Sequence, residues 1–215
     1  MKYTTVLFDL DGTLVDSGIG VTNSVAYAMK KFGMTPPPRE ELFKFIGPPL
    51  VQSFREFCGF DEVQTTLAIK YYREYYSDKG ILECIMYDGV IELLESLKKK
   101  GYKLALATSK PEIYATRVVE NKGILPYLDY LGAATTDEKT RATKEAVIEY
   151  TLSMCEEKDR AKILMVGDRH FDINGAKAYG LDSVGVTFGY GDRRELIQAG
   201  ADYIVDSMKE LDNLL

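Results

Sequence analysis

Six short apolar runs, each stopping abruptly at polar or turn-forming residues, limit what this chain can fold into. Val6-Leu7-Phe8 stops at Asp9, Lys103-Leu104-Ala105-Leu106-Ala107 at Thr108, and Ile163-Leu164-Met165-Val166 at Gly167-Asp168. Ser183-Val184-Gly185-Val186-Thr187, Tyr203-Ile204-Val205 and a weaker run, Tyr130-Leu131-Gly132-Ala133, complete the set. Their apolarity is continuous rather than alternating, which is what strands covered on both faces of a parallel sheet require. Helix-like stretches separate them, at about 88–100, 112–121, 142–155, 171–179, 192–199 and 207–214. Strand and helix in alternation predict an α/β fold with an open, doubly wound parallel sheet.

One long segment breaks the alternation. From about Ser17 to Leu82 no strand pattern occurs, and Val21, Val25, Ala28, Met29 and Phe32 share one helical face. Thr35-Pro36-Pro37-Pro38 and Gly47-Pro48-Pro49 punctuate it. Residues 61–79 carry Tyr71, Tyr72, Tyr75 and Tyr76, a stripe that reads as packing surface. The expected organisation is therefore a core of residues 1–16 and 83–215, with an all-helical subdomain inserted at 17–82.

At 215 residues the chain can bury about 70% of its unfolded surface, so it needs no structural metal or disulfide to hold together. Lys and Arg total 27 against 33 Asp and Glu, a net charge of −6 that speaks against broad nucleic-acid binding. A single histidine excludes mechanisms that need two. Cys58, Cys84 and Cys155 are too few and scattered for a disulfide framework and read as buried small hydrophobes. No apolar stretch approaches the roughly 20 residues needed to span a bilayer. With no targeting signal visible, a cytoplasmic protein is expected.

The chemistry gathers where the runs stop, which in an open parallel sheet is where ligands bind. Asp9 and Asp11 flank Leu10 and precede Gly12-Thr13. Two carboxylates so close raise one another's pKa unless a cation intervenes. A second acidic pair, Asp168 and Asp172, follows another run in Gly167-Asp168-Arg169-His170-Phe171-Asp172. Such oxygen donors suit Mg²⁺. Thr108-Ser109-Lys110 offers hydroxyls and backbone amides to phosphate oxygens, and Lys144 supplies a cation upstream of the fourth motif. His170 reads as a helix-start residue rather than a member of the site.

Taken together, and in order along the whole chain, these residues resemble the haloacid dehalogenase superfamily of phosphohydrolases. Asp9-Leu10-Asp11-Gly12-Thr13 is similar to its first motif, Thr108 to its second, Lys144 to its third, and Gly167-Asp168 with Asp172 to its fourth. Lys139 and Arg141 remain alternatives for the third. The helical insert after the first motif, with Thr108-Ser109-Lys110-Pro111 and Phe45-Ile46-Gly47-Pro48-Pro49, resembles the phosphoglycolate-phosphatase-like group.

The resemblance implies a phosphatase acting on a small phosphorylated metabolite. Asp9 would attack phosphorus to form an aspartyl-phosphate. Asp11 would act as acid and then base. Thr108, with Ser109, would bind phosphoryl oxygens, and Lys144 would balance charge. Mg²⁺ would be held by Asp9, Asp168 and the backbone carbonyl of Asp11, with Asp172 at or beside it. Gly47 would shape a cap loop that meets substrate, and the cap would close over the site. Phosphoglycolate, a nucleoside 5′-monophosphate, pyrophosphate and a sugar phosphate all suit this cap type. A phosphomutase or other phosphotransferase of the same fold, and a receiver-like phospho-acceptor module, are the alternatives. No nucleic-acid or membrane partner is expected, and a monomer is compatible with the sequence.

Overall fold

The computed structural model describes residues 2–137 and 140–215. The chain divides into two compact units, one of Met1–Val15 with Met86–Leu215 and one of Asp16–Ile85. In chain order the elements begin with strands β1 (Thr5–Phe8) and β2 (Val15–Asp16). Helices α1 (Gly18–Lys31), α2 (Arg39–Leu42), α3 (Leu50–Cys58) and α4 (Glu62–Tyr75) follow, then β3 (Ile85–Met86). The remainder runs α5 (Val90–Lys99), β4 (Lys103–Pro111), α6 (Glu112–Asn121), β5 (Tyr130–Ala134), α7 (Lys144–Met154) and β6 (Ile163–Gly167). It ends with α8 (His170–Ala178), β7 (Asp182–Val186), α9 (Arg193–Ala199), β8 (Tyr203–Val205) and α10 (Met208–Leu214).

All six predicted strands form, and they join in one sheet ordered β5-β4-β1-β6-β7-β8 with every described pairing parallel. Numbered one to six along the chain, they lie in the order 3-2-1-4-5-6, with helices following the strands, so the sheet is doubly wound. The chain leaves β1 toward one edge and returns through β6 toward the other. The crevice at such a reversal lies beyond the carboxyl ends of β1 and β6.

Continuous apolarity in these strands has its cause in burial on both faces. Alternate residues Leu7, Ala105, Ala107, Ile163 and Met165 pack in one cluster with Val147, Ile148 and Leu152 of α7 and Ala176 of α8. The intervening residues Val6, Phe8, Leu104, Leu106, Leu164 and Val166 are fully buried too. Strand β4 departs from expectation. It does not stop at Thr108 but continues to Pro111, with a register shift between those residues where it pairs with β5. The shift leaves Ser109 and Lys110 without counterparts in β5, a bulge-like irregularity of the strand.

The Asp16–Ile85 unit is helical, as its lack of alternation predicts. Asp61 accepts the Gln64 amide and Gln64 Oε1 accepts the Asp61 amide, a capping box that starts α4. The tyrosine stripe packs within this unit: Tyr75 lies against Tyr27, Tyr71 against Phe32, and Tyr72 stacks on Tyr76. Residues Tyr76–Gly80 form a wider, π-helical turn after α4. Among the described residues, no helix is long and apolar enough to cross a membrane. Cys58, Cys84 and Cys155 form no disulfide, and the last two are buried.

Leu7 sits at the centre of the sheet with no exposed surface. Leu7→Ala is expected to cost about 3 kcal/mol through lost burial and a cavity. At this chain length that is a fall of roughly 6–12 °C in melting temperature, readable by circular dichroism.

Candidate active site

Asp9 is the residue after β1, and its amide donates to the Val166 carbonyl of β6 at 2.9 Å. The parallel register, Phe8 beside Val166, thus brings the ends of the first and fourth sheet strands together. Asp168 follows β6 by one residue, and Asp172 lies in the first turn of α8, where its Oδ2 accepts the Arg169 amide at 3.1 Å. Ligand oxygens of Asp9, Asp168 and Asp172 all lie within 4.8 Å of one another, and all three residues are buried. Two glycines make this closeness possible. Gly12 takes φ +87°, and a Cβ there would stand 2.2 Å from Asp168 Oδ2; a Cβ on Gly167 would stand 2.2 Å from the Asp172 carboxyl carbon.

One buried cation faces the acids. Lys144 opens α7, which Thr143 caps by accepting the Ala146 amide. Its Nζ lies 2.8 Å from Asp9 Oδ1 and 2.8 Å from Asp172 Oδ1, and it donates to the Ala107 carbonyl at 3.0 Å. The two carboxylate contacts are ion pairs without the alignment of a hydrogen bond, so neither oxygen is saturated. Asp168 differs: Oδ2 accepts the Tyr190 amide at 2.7 Å, while Oδ1 is buried with no hydrogen-bond partner.

Charge sets what the cluster can take up. If all three carboxylates were ionised, they and the one ammonium would leave a net charge of −2 in a buried space. Burial pushes Asp9 up to about 6; Lys144 opposes this, and the charges of Asp172 and Asp11 add to it. Asp168 is raised well above the usual carboxylate range, first by burial and then by Asp172 and Asp9. For Lys144, burial works to lower the pKa, but the charges of Asp172 and Asp9 outweigh it and the net shift is upward. A divalent cation fits this donor set: hard oxygens, one of them orphaned, and a charge deficit of two.

The other sequence candidates fall as follows. Thr108 is buried and its Oγ1 accepts the Lys110 amide at 3.2 Å; Ser109 is half-buried beside it in β4. Asp11 carries its carboxylate against Lys110, whose Nζ lies 2.7 Å from both Oδ1 and Oδ2. Gly47 belongs to the Asp16–Ile85 unit and takes φ +106° ahead of Pro48. Arg141 is engaged elsewhere, on Glu112 at 3.0 Å and over the Tyr150 ring at 3.8 Å. Lys139 lies outside the described residues. His170 opens α8, with Nδ1 2.7 Å from Glu195. The pairing of the Lys110 side chain with Asp11 and the role of the Tyr190 amide escaped the sequence reading. A backbone amide leaves no side-chain signal, whereas Lys110 stood two residues after Thr108, where its pairing with Asp11 depends on the bulge.

The family model described as haloacid dehalogenase-like hydrolase matches residues 6–186. The chain belongs to that family. Among curated members, it is 38% identical over 196 residues to a protein named 5′-nucleotidase from Pseudomonas aeruginosa, covering 91% of this chain and 88% of the relative. It is 35% identical over 209 residues to tyrosine-protein kinase PtkA of Mycobacterium tuberculosis, covering 97% of this chain and 70% of the relative. It is 31% identical over 216 residues to a phosphoglycolate phosphatase of Colwellia psychrerythraea, covering 96% and 94%. The crystal structure of a predicted phosphatase from Clostridium acetobutylicum superposes with a TM-score of 0.95 at 44% identity, covering 100% of this hydrolase and 98% of that chain.

A cation that fills the acidic cluster must displace protons from it. Asp9, with a folded pKa near 6 above its unfolded value, holds its proton longer in the folded protein. Without metal, Asp9 therefore makes folding less favourable as pH rises from about 4 to 6, and cation binding weakens as pH falls through that window. Millimolar Mg²⁺ is expected to raise the melting temperature at pH 7.5 by several degrees, about 2.7 kcal/mol when present at 100 times its dissociation constant. The increment shrinks at pH 5 and disappears in Asp168→Asn; an equal increment in that variant excludes the cluster as the binding site.

Proposed function

We propose that this haloacid dehalogenase-family phosphatase hydrolyses a small phosphorylated metabolite through an aspartyl-phosphate on Asp9, with Mg²⁺ held by Asp9, Asp168 and Asp172. One observation carries the reading. Asp9 is buried at the end of the central strand, 2.8 Å from the Lys144 ammonium and beside an Asp168 oxygen that has no partner. A carboxylate approaching a phosphate dianion meets repulsion of several kcal/mol at an effective dielectric near 20. Lys144 offsets part of that repulsion. Asp9, Asp168 and Asp172 would hold a Mg²⁺ whose charge would offset the rest of that repulsion.

In the first step an Asp9 carboxylate oxygen forms a bond to phosphorus while the bond to the leaving oxygen breaks. That bond's electron pair stays on the leaving oxygen, which takes a proton from Asp11. In the second step water attacks phosphorus, Asp11 takes the water's proton, and Asp9 and inorganic phosphate are released. Thr108 lies at the end of the neighbouring strand run, where its hydroxyl can donate to a phosphoryl oxygen while accepting the Lys110 amide.

The substrate class rests on names borne by relatives, a 5′-nucleotidase and a phosphoglycolate phosphatase among them. The kinase name of another relative supports the phosphotransferase alternative, in which a hydroxyl rather than water accepts the phosphoryl group from Asp9. In either case the partner is a small phosphorylated metabolite, with no role for nucleic acid or membrane. Cysteines outside any disulfide suit the reducing cytoplasm, which is the proposed location.

Asp9→Asn is expected to fold normally and to lose more than about 10³-fold in kcat, because the covalent route is gone. The measurement is phosphate release from p-nitrophenyl phosphate, then from a panel holding phosphoglycolate, adenosine 5′-monophosphate, pyrophosphate and glucose 6-phosphate. EDTA abolishes turnover and Mg²⁺ restores it. Near-normal rates in Asp9→Asn refute the nucleophile, and alcohol product formed in excess of free phosphate favours the transferase.

A further inference from the structure

Lysine is among the residues least often buried, and it goes inside chiefly when paired. Among the described residues, two lysines are buried, Lys144 and Lys110. The first faces the nucleophile. The second faces the other acid of the first motif: its side chain is 5% exposed, against 15% for Asp11. Its Nζ stands 2.7 Å from both Asp11 oxygens, so the ammonium straddles the carboxylate. The backbone is arranged for this contact. The pairing of β4 with β5 shifts register between Thr108 and Pro111, and within that bulge the Lys110 amide donates to Thr108 Oγ1. Thr108 thereby fixes the main chain from which Lys110 reaches Asp11. On the Asp11 side, the Gly12 amide donates to the Val15 carbonyl at 2.8 Å, closing the turn that carries Asp11. Both partners are held from their backbones, and the ion pair joins the end of β4 to the turn after β1.

We infer that Lys110 is the positioning residue for Asp11, gripping its carboxyl group where it transfers a proton to and from the reacting oxygen. The inference rests on the phosphatase reading above and adds a residue to it. Lys110 does not touch phosphorus or the leaving group in this role; it acts through Asp11. An ammonium has three donors, so it keeps hold of one carboxyl oxygen while the other carries the proton.

The test uses leaving groups of different basicity. p-Nitrophenolate departs readily without a proton, whereas phenolate depends on one. In Lys110→Met, kcat on phenyl phosphate is expected to fall about tenfold or more beyond any fall on p-nitrophenyl phosphate, with KM little changed. Lys110→Arg, which keeps a cationic donor, recovers part of that difference. Because Lys110→Met leaves a carboxylate without its cation, the double variant Lys110→Met/Asp11→Asn, which removes both charges, is measured alongside. It is expected to match Asp11→Asn alone, since Lys110 has nothing left to position. Equal losses on the two aryl phosphates, or a double variant slower by the product of the single losses, overturns the inference. If Asp11→Asn itself leaves the leaving-group dependence unchanged, the acid assignment fails, an outcome distinct from failure of Lys110 alone.

Discussion

The contact on which the site depends is that of one buried ammonium, Lys144, with oxygens from three different elements. It meets Asp9 at the end of β1, Asp172 in the first turn of α8 and the Ala107 carbonyl in β4. At an effective dielectric near 20, a unit pair at such a distance attracts by about 6 kcal/mol, comparable with the several kcal/mol of desolvation each buried ion incurs. Lys144 can therefore hold two carboxylates at a roughly balanced cost. The third, Asp168, is left to a backbone amide on one oxygen and to nothing on the other. Such a cluster is stable with protons on it or with a divalent cation in it. The same imbalance that makes it a poor structural ion pair makes it a good place to bring a phosphate dianion.

Sheet topology explains why these groups meet at all. Asp9 and Asp168 are 159 positions apart in sequence, yet β1 and β6 are neighbours because the chain reverses its winding between them. Only at that reversal do the connections after two adjacent strands run in opposite directions and leave a crevice. Glycine then sets how close the loops come. The Cβ positions of Gly12 and Gly167 are occupied by the carboxylates themselves, so any other residue would push the acids apart.

Much of this was legible in the residues. The strands announced themselves by continuous apolarity, and the acids by standing where those runs ended, because burial on two faces and solvent beyond the strand end are properties of local sequence. The helical character of the Asp16–Ile85 unit and the packing role of its tyrosines were readable for the same reason. The cation facing the acids was named as Lys144 through the family resemblance; from the residues alone Lys139, Arg141 and Lys144 are equivalent, and the choice depends on where α7 begins and which way its first residue points. Thr143 sets that start, and Arg141 is drawn off by Glu112 and Tyr150. The end of β4 was misjudged because a bulge has no apolar signature. The contact of the Lys110 side chain with Asp11 was overlooked with it.

That oversight bears on the chemistry. In the proposed cycle the nucleophile needs one fixed position, which β1 and Lys144 give to Asp9. The proton-transfer group has the harder task, since in the proposed cycle it gives a proton in one half-reaction and takes one in the next. Its charge changes between the two steps, and an unsupported carboxyl on a turn would rotate toward water whenever it ionised. A cation that meets both oxygens removes that freedom without requiring either oxygen to be the protonated one. In that cycle the division of labour would follow from the buried Lys144 and Lys110, the first offsetting charge at phosphorus and the second holding the group that carries the proton.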